Sequence, residues 1–249
     1  MTRYTFHKNP VIAHRGAWKN TGHPQNSIAS LRAAIDMGCH GSELDVQLTA
    51  EDSLIIFHDL KIQKMVIDST KYEELNKIKL ANGEKIPTLR ECLIEIKKQN
   101  KTKLIIDIKT PDHTPRAVKN AKAVLRLVKE MKAEALVEFL VGDIDALDYL
   151  ISAASIPVAY LGRWKNELPE MYPDAIMKHR AKFLDYQDIH YKNHPDWIDT
   201  FKKNGIHLNV WTVNKEEEMR WFIEKDFNYI TTDEPELLLD LVKRRESRN

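Results

Sequence analysis

Short apolar, β-branched runs recur along this chain, and each ends in a polar tip before a helical period begins. The strand candidates are VIAHRG from Val11, GSELDV from Gly41, KLIIDIK from Lys103, VEFLVG from Val137, PVAYLG from Pro157, KFLDYQ from Lys182, HLNVWTV from His207 and YITTD from Tyr229. Amphipathic helices separate them. Thr88 with Glu91 three residues on has the capping-box spacing that opens a helix, and Asn214 with Glu217 predicts a second box before MRWFIEK. Thr114 and Pro115 open another helix, which presents Val118, Ala121, Leu125 and Val128 to one side. Asn26 is placed to cap the first helix through its side chain, and also to touch whatever lies at the strand tips.

Strands alternating with helices argue for a parallel sheet, and eight such units in 249 residues argue for closure into a single (β/α)8 TIM barrel spanning 1–249. An open doubly wound sheet is the weaker architecture, because no glycine-rich phosphate loop follows the first strand. One irregularity stands out. A second run, LIIFHD, follows GSELDVQLT through Ala50-Glu51-Asp52-Ser53. It reads as a hairpin-like extension of the second strand, followed by an insertion over about 60–87.

Charge and composition change this picture little. Lys and Arg total 38 against 37 for Asp and Glu, so the net charge of +1 leaves no electrostatic footprint for nucleic acid. The basic cluster KRRESRN closes a predicted helix, where cations suit the dipole. Cys39 and Cys92 fall at apolar positions without paired spacing and read as reduced core residues. No apolar run reaches the length of a membrane span, and no signal-peptide pattern precedes the first strand. A soluble protein is expected, with cytoplasm, periplasm or exterior and the oligomeric state left open.

In such a barrel, chemistry comes from the C-terminal ends of the strands. His14 and Arg15 end the first strand; Glu43 and Asp45 end the second; His58 and Asp59 end its extension; Asp107 and Lys109 end the third. Spacing of i, i+2 turns Glu43 with Asp45, and Asp107 with Lys109, to one side of their strands, while Leu44 and Val46 face the outer helices. Three crowded carboxylates repel unless a cation neutralises them, and an all-oxygen set suits one hard divalent ion, Mg²⁺ or Ca²⁺. Arg15 and Lys109 beside them suit an anionic ligand. Two histidines can divide general base and general acid at neutral pH. Together these parts describe cleavage at a phosphodiester. His190 and His194 are spaced i, i+4 but lack an HExxH context, and are read as structural rather than as a zinc pair.

The motifs HRG, then PQNSIASLRAAIDMGCHGSELDVQLTAEDSLIIFHD, with IPTL, DIK, VWTVN and ITTDEP further on, resemble the signature of the glycerophosphodiester phosphodiesterase family over nearly the whole chain. The resemblance implies a barrel enzyme that cleaves small-molecule glycerophosphodiesters to glycerol 3-phosphate and an alcohol, with one divalent metal. Carried over by position, Glu43, Asp45 and Asp107 are its metal ligands, His14 and His58 its acid/base pair, Arg15 and Lys109 its phosphate-binding groups, and Trp211 an apolar wall for the glycerol or leaving group. Two positions depart from the family pattern. Gln25 stands where the family usually has Glu, and Asp107 where Glu is common, one methylene shorter. The competing readings are an anion-binding barrel weakened in turnover and a relative acting on lysophospholipids or sphingolipid head groups. For the latter Met65, Val66 and Ile67 would line a pocket.

Overall fold

The computed structural model describes residues 4–109, 116–162 and 168–247. Its strands are β1 (Val11–Ala13), β2 (Gly41–Leu48), β3 (Leu54–Ile56), β4 (Lys61–Ile62), β5 (Met65–Val66), β6 (Lys103–Ile108), β7 (Val137–Val141), β8 (Val158–Leu161), β9 (Phe183–Gln187), β10 (His207–Trp211) and β11 (Tyr229–Thr232). Eight of them pair in parallel in the order β1-β2-β6-β7-β8-β9-β10-β11, and β11 returns to β1, so the sheet closes into a (β/α)8 barrel. The eight predicted strands are these eight.

The period of two along each strand divides the interior from the helical shell. On β2 all eight residues are buried. Leu44 and Val46 join the large apolar core together with Leu89, Leu93 and Ile96 of the helix Leu89–Ile96, so Gly41, Glu43, Asp45 and Gln47 face the barrel axis. Within the barrel, Ile12, Ile105, Leu140 and Ala159 form a smaller apolar layer, with Phe183 and Tyr229 packed against it. This layer plugs the lower barrel. Cys39 and Cys92 are buried free thiols of the outer core, and burial pushes the Cys39 thiol up to about 12.

β3 runs antiparallel to β2, with Val46 opposite Ile56 and Leu48 opposite Leu54, as the hairpin-like extension requires. The following segment folds over its own small core of Ile55, Ile62, Ile67, Leu75 and Ile86. The short hairpin β4–β5 supplies Ile62 to it. Among the described residues, no helix is long and apolar enough to cross a membrane.

Three helix starts can be compared with expectation. The Thr88 box forms: Glu91 N donates to Thr88 Oγ1 at 3.3 Å and Thr88 N to Glu91 Oε2 at 2.9 Å. The first helix, Ile28–Met37, is capped by Ser27 and Ser30 instead of Asn26. Asn26 sits one residue too early, in the left-handed region at φ 55, and its amide turns to the barrel mouth. The Asn214 box does not form. The helix Glu216–Glu224 starts from Lys215 without a side-chain cap, because the Asn214 amide is taken by Asp233 and Thr232 at the end of the neighbouring strand. The expected entry through Thr114 and Pro115 lies outside the described residues. The helix Arg116–Glu130 does bury Ala121, Leu125 and Val128.

Candidate active site

The sharp turn after β1 explains why a buried strand runs into His-Arg-Gly. Arg15 at φ 55 and Gly16 at φ 81 both lie in the left-handed region, and two such residues in succession reverse the chain within one turn. A side chain at residue 16 would meet Ser30 at 2.4–2.7 Å. The turn aims the Arg15 backbone N–H at Glu43 Oε2, 2.9 Å away. It also leaves His14 and Arg15 on the rim of a cavity of about 690 Å³.

All eight expected residues, His14, Arg15, Glu43, Asp45, His58, Asp107, Lys109 and Trp211, line this cavity. Glu43, Asp45 and Asp107 are 3%, 1% and 5% exposed. Each contributes one carboxylate oxygen to a set whose members lie within 4.8 Å of one another. That spacing lets one ion touch all three at ordinary oxygen-ligand distances of about 2.1–2.6 Å. The shorter Asp107 side chain therefore still reaches the common point. Burial and the neighbouring Asp45 and Asp107 charges push Glu43 well above the usual carboxylate range. Burial and Asp45 likewise raise Asp107 against the pull of Lys109. Asp45 goes the other way. Burial opposes its ionisation, but Lys109, His58 and Arg15 outweigh it.

Cations brace the same cluster. Lys109 Nζ lies 2.5 Å from Asp107 Oδ2 and 2.8 Å from Asp45 Oδ1. Its ammonium has three donors, so one remains for the cavity. Arg15 Nη1 donates to Gln25 Oε1 at 2.8 Å, while Nε stands 3.4 Å from Asp45 Oδ2 without hydrogen-bond geometry. Gln25 thus supplies the acceptor that a carboxylate there would supply, without its charge. Asn26 clamps Asp45 from both sides, Nδ2 donating to Oδ2 at 2.7 Å and Oδ1 accepting from the Asp45 backbone N–H at 3.1 Å.

Each histidine has an aspartate on its Nδ1. His14 Nδ1 is 2.8 Å from Asp233 Oδ1, and His58 Nδ1 is 2.8 Å from Asp59 Oδ1. An ionised carboxylate only accepts, so Nδ1 carries the proton and Nε2 is left for the cavity. The two dyads differ in rigidity. Asp233 is 17% exposed and is itself held by Asn214, whereas Asp59 is 74% exposed.

Several residues of this site were not singled out from the sequence. Gln47 continues the inward alternation of Glu43 and Asp45, and its Nε2 donates to the carbonyls of Phe57, His58 and Asp59 at 2.7, 3.2 and 2.8 Å, fastening the loop that carries His58. Asp185 and Gln187, spaced i, i+2 on β9, face the cavity from the opposite wall. The alternation was the available signal for all three. Asp233 had only its place after the last strand, and no pattern marked it as a histidine partner. Elsewhere, His190 is buried, and His194 stacks on Trp197 with ring centroids 4.3 Å apart. Ile67 is buried in the insertion core and Met65 packs on it, so neither lines the cavity, whereas Val66 is exposed and lines a separate small pocket with Leu60 and Lys109.

Residues 14–237 match the profile of the Glycerophosphoryl diester phosphodiesterase family. A glycerophosphodiester phosphodiesterase of Caldanaerobacter subterraneus subsp. tengcongensis is 30% identical over 95% of this chain and 99% of its own. The crystal structure of a glycerophosphodiester phosphodiesterase from Parabacteroides distasonis superposes with a TM-score of 0.88 at 35% identity, covering 97% of this chain and 100% of that one. An Oleispira antarctica phosphodiesterase, solved in complex with the product sn-glycerol-3-phosphate, shares the fold with a TM-score of 0.82 at 21% identity, over 94% of this chain and 96% of its own. With a closed eight-stranded barrel and its acidic mouth, the chain belongs to the glycerophosphoryl diester phosphodiesterase family of hydrolases.

Proposed function

We propose that the protein hydrolyses glycerophosphodiesters to glycerol 3-phosphate and an alcohol at the mouth of its barrel, using one Mg²⁺ or Ca²⁺ ion. The observation that carries this reading is the buried trio Glu43, Asp45 and Asp107, gathered within the reach of one ion between two aspartate-held histidines. Four buried acids, these three and Asp185, face only Lys109 and Arg15 among the residues lining the cavity. Such an excess of buried negative charge is unstable without a further cation. The donor set is all oxygen, which suits a hard ion.

When bound, the ion neutralises charge on the phosphoryl oxygens and polarises the phosphorus for attack. The chain's own residues do the rest. Arg15 keeps N–H donors beyond those directed at Gln25 and Asp45, and Lys109 keeps one, so both hold the phosphate between β1 and β6. One imidazole takes through its Nε2 the proton of the attacking hydroxyl, of water or of the glycerol unit itself, as the new P–O bond forms; the other, protonated, gives a proton to the departing alcohol oxygen as the old P–O bond breaks, and where the glycerol hydroxyl attacks, water then opens the cyclic phosphate with the two rings in reversed roles. Each displacement exchanges one proton between the two rings. Trp211, its Nε1 anchored on the Asp185 carbonyl at 3.1 Å, offers an apolar face to the carbon chain of the substrate.

The test is release of glycerol 3-phosphate from glycerophosphocholine and glycerophosphoethanolamine with Mg²⁺, with Ca²⁺ and with a chelator. Turnover that appears with an ion and disappears with the chelator is expected. A folded protein silent toward both substrates with every ion would overturn the reading.

A further inference from the structure

The wall of the cavity facing the histidines holds a second buried acid that the metal trio does not use. Asp185 points inward from β9, is 1% exposed and lines the cavity. Its register partner on β10 is the buried Asn209. Asn209 is fixed in turn by Thr231 on β11, Nδ2 donating to Oγ1 at 3.2 Å, and by the Val210 N–H, which donates to its Oδ1 at 2.8 Å. This chain of buried polar side chains occupies a level that branched apolar residues usually fill in such barrels.

Among the described residues, Asp185 Oδ1 is buried without a hydrogen-bond partner. A buried acceptor left in that state is destabilising, and neither Lys109 nor Arg15 relieves it, since both are directed at the opposite wall. Leu140, Leu161 and Trp211 add apolar surface to the same cavity, and Gln187 is the next residue facing it on the same strand. A single open acceptor in an apolar setting fits one hydroxyl donor. A primary ammonium carries three donors and would leave two of them facing apolar surface, whereas a trimethylammonium carries no N–H and cannot fill a hydrogen-bond acceptor.

Resting on the diesterase reading above, we propose that the open oxygen of Asp185 accepts a hydrogen bond from a hydroxyl of the glycerol unit. Asp185 is then the specificity-determining residue that separates a polyol phosphate from an alkyl phosphate of equal length. A site built to bond a hydroxyl rejects analogues lacking it far more strongly than an apolar pocket rejects a missing methylene.

The experiment compares binding of sn-glycerol 3-phosphate and n-propyl phosphate by calorimetry, at one fixed concentration of divalent ion, to the wild type, Asp185→Asn and Asp185→Leu. The wild type is expected to prefer glycerol 3-phosphate by about tenfold or more. Asp185→Leu is expected to erase that preference while propyl phosphate binding stays within about twofold, and Asp185→Asn to reduce it, because the amide keeps one acceptor oxygen and replaces the other with an NH₂ donor. Should the Leu variant fail to fold, judged by thermal melting, the near-isosteric Asn variant carries the test. A merely structural role weakens both ligands equally. Equal affinities in the wild type, binding of neither ligand, or variants that keep the preference would each overturn the proposal. Binding is read separately from hydrolysis, so a wild type that discriminates the two phosphates but cleaves no diester fails the functional reading and leaves Asp185 standing.

Discussion

The two ends of this barrel bury charge in opposite ways. At the N-terminal end, Lys103 on β6 pairs one to one with Glu138 on β7, and the Lys103 ammonium also sits 4.9 Å over the Phe6 ring. His40 stacks on Tyr229 and His207 on Phe183, closing that end with aromatic surface. At the C-terminal end, Glu43, Asp45, Asp107 and Asp185 outnumber the two cations lining the cavity, and Glu43 and Asp107 are held above their ordinary ionisation range by burial and, in both cases, by the charge of Asp45. The lower arrangement is complete. The upper one is a deficit that a ligand would fill, and a deficit maintained at some cost to stability is what distinguishes a site from a scaffold. Between them the layer of Ile12, Ile105, Leu140 and Ala159 keeps the two electrostatic systems apart.

Substitutions at the two ends should therefore fail in different currencies. The largest effect is expected from Asp45→Asn, which keeps the volume but removes the one carboxylate that Lys109, His58 and Arg15 hold ionised. Turnover should fall by at least about 10³-fold, the loss of a charged group at a metal-assisted centre. The variant should also lose the gain in unfolding free energy that Mg²⁺ or Ca²⁺ confers on the wild type, about 2.7 kcal/mol at a hundredfold excess over Kd. If melting in the presence of either ion still rises as in the wild type, Asp45 is no ligand. His58→Ala comes next, with kcat down about 10²-fold or more and thermal stability nearly unchanged.

At the other end, Glu138→Gln should leave kcat and the ion-dependent stabilisation intact while costing about 1–3 kcal/mol in denaturant unfolding, below the figure for a fully buried broken pair because Lys103 keeps 15% side-chain exposure. A change in kcat there would dissolve the separation of the two ends. A subtler probe of the upper end is Gln47→Leu. It frees three carbonyls of the His58 loop, and kcat should fall about tenfold with little change in ion affinity, the pattern of a positioning residue rather than a catalytic one. The smallest effect is expected from Gln25→Glu, since Gln25 already gives Arg15 its acceptor; kcat/KM should move by less than about threefold. A tenfold rise would show that the missing charge, not the missing acceptor, limits this chain.

Much of this could be read from the order of residues alone. The period-two strands, the helical runs between them and the polar tips are local properties, set by which side chains can share a pleated or helical face. They were sufficient for eight strands in sequence, for the antiparallel extension at Leu54–Ile56 and for the side on which Glu43, Asp45, Asp107 and Lys109 project. The misreadings share one cause. Asn26 and Asn214 both carry a local capping signal, and both spend their amides on long-range partners, Asp45 in one case and Asp233 in the other. A side chain satisfied by the neighbouring strand cannot also cap its own helix.

The sequence by itself determined the alternating element order, the closure that eight such units make possible, and the residue types that each strand brings to the mouth. Only the tertiary structure decided which of those residues meet. Residues 14 and 233 are 219 positions apart, yet closure of β11 on β1 sets their side chains 2.8 Å from one another. The pairing of Asp185 with Asn209 likewise depends on the register of β9 with β10, and the fastening of His58 on an amide from β2. Local propensity acts over a few residues, whereas these contacts are fixed by strand register and barrel closure, which emerge only when the whole chain is folded.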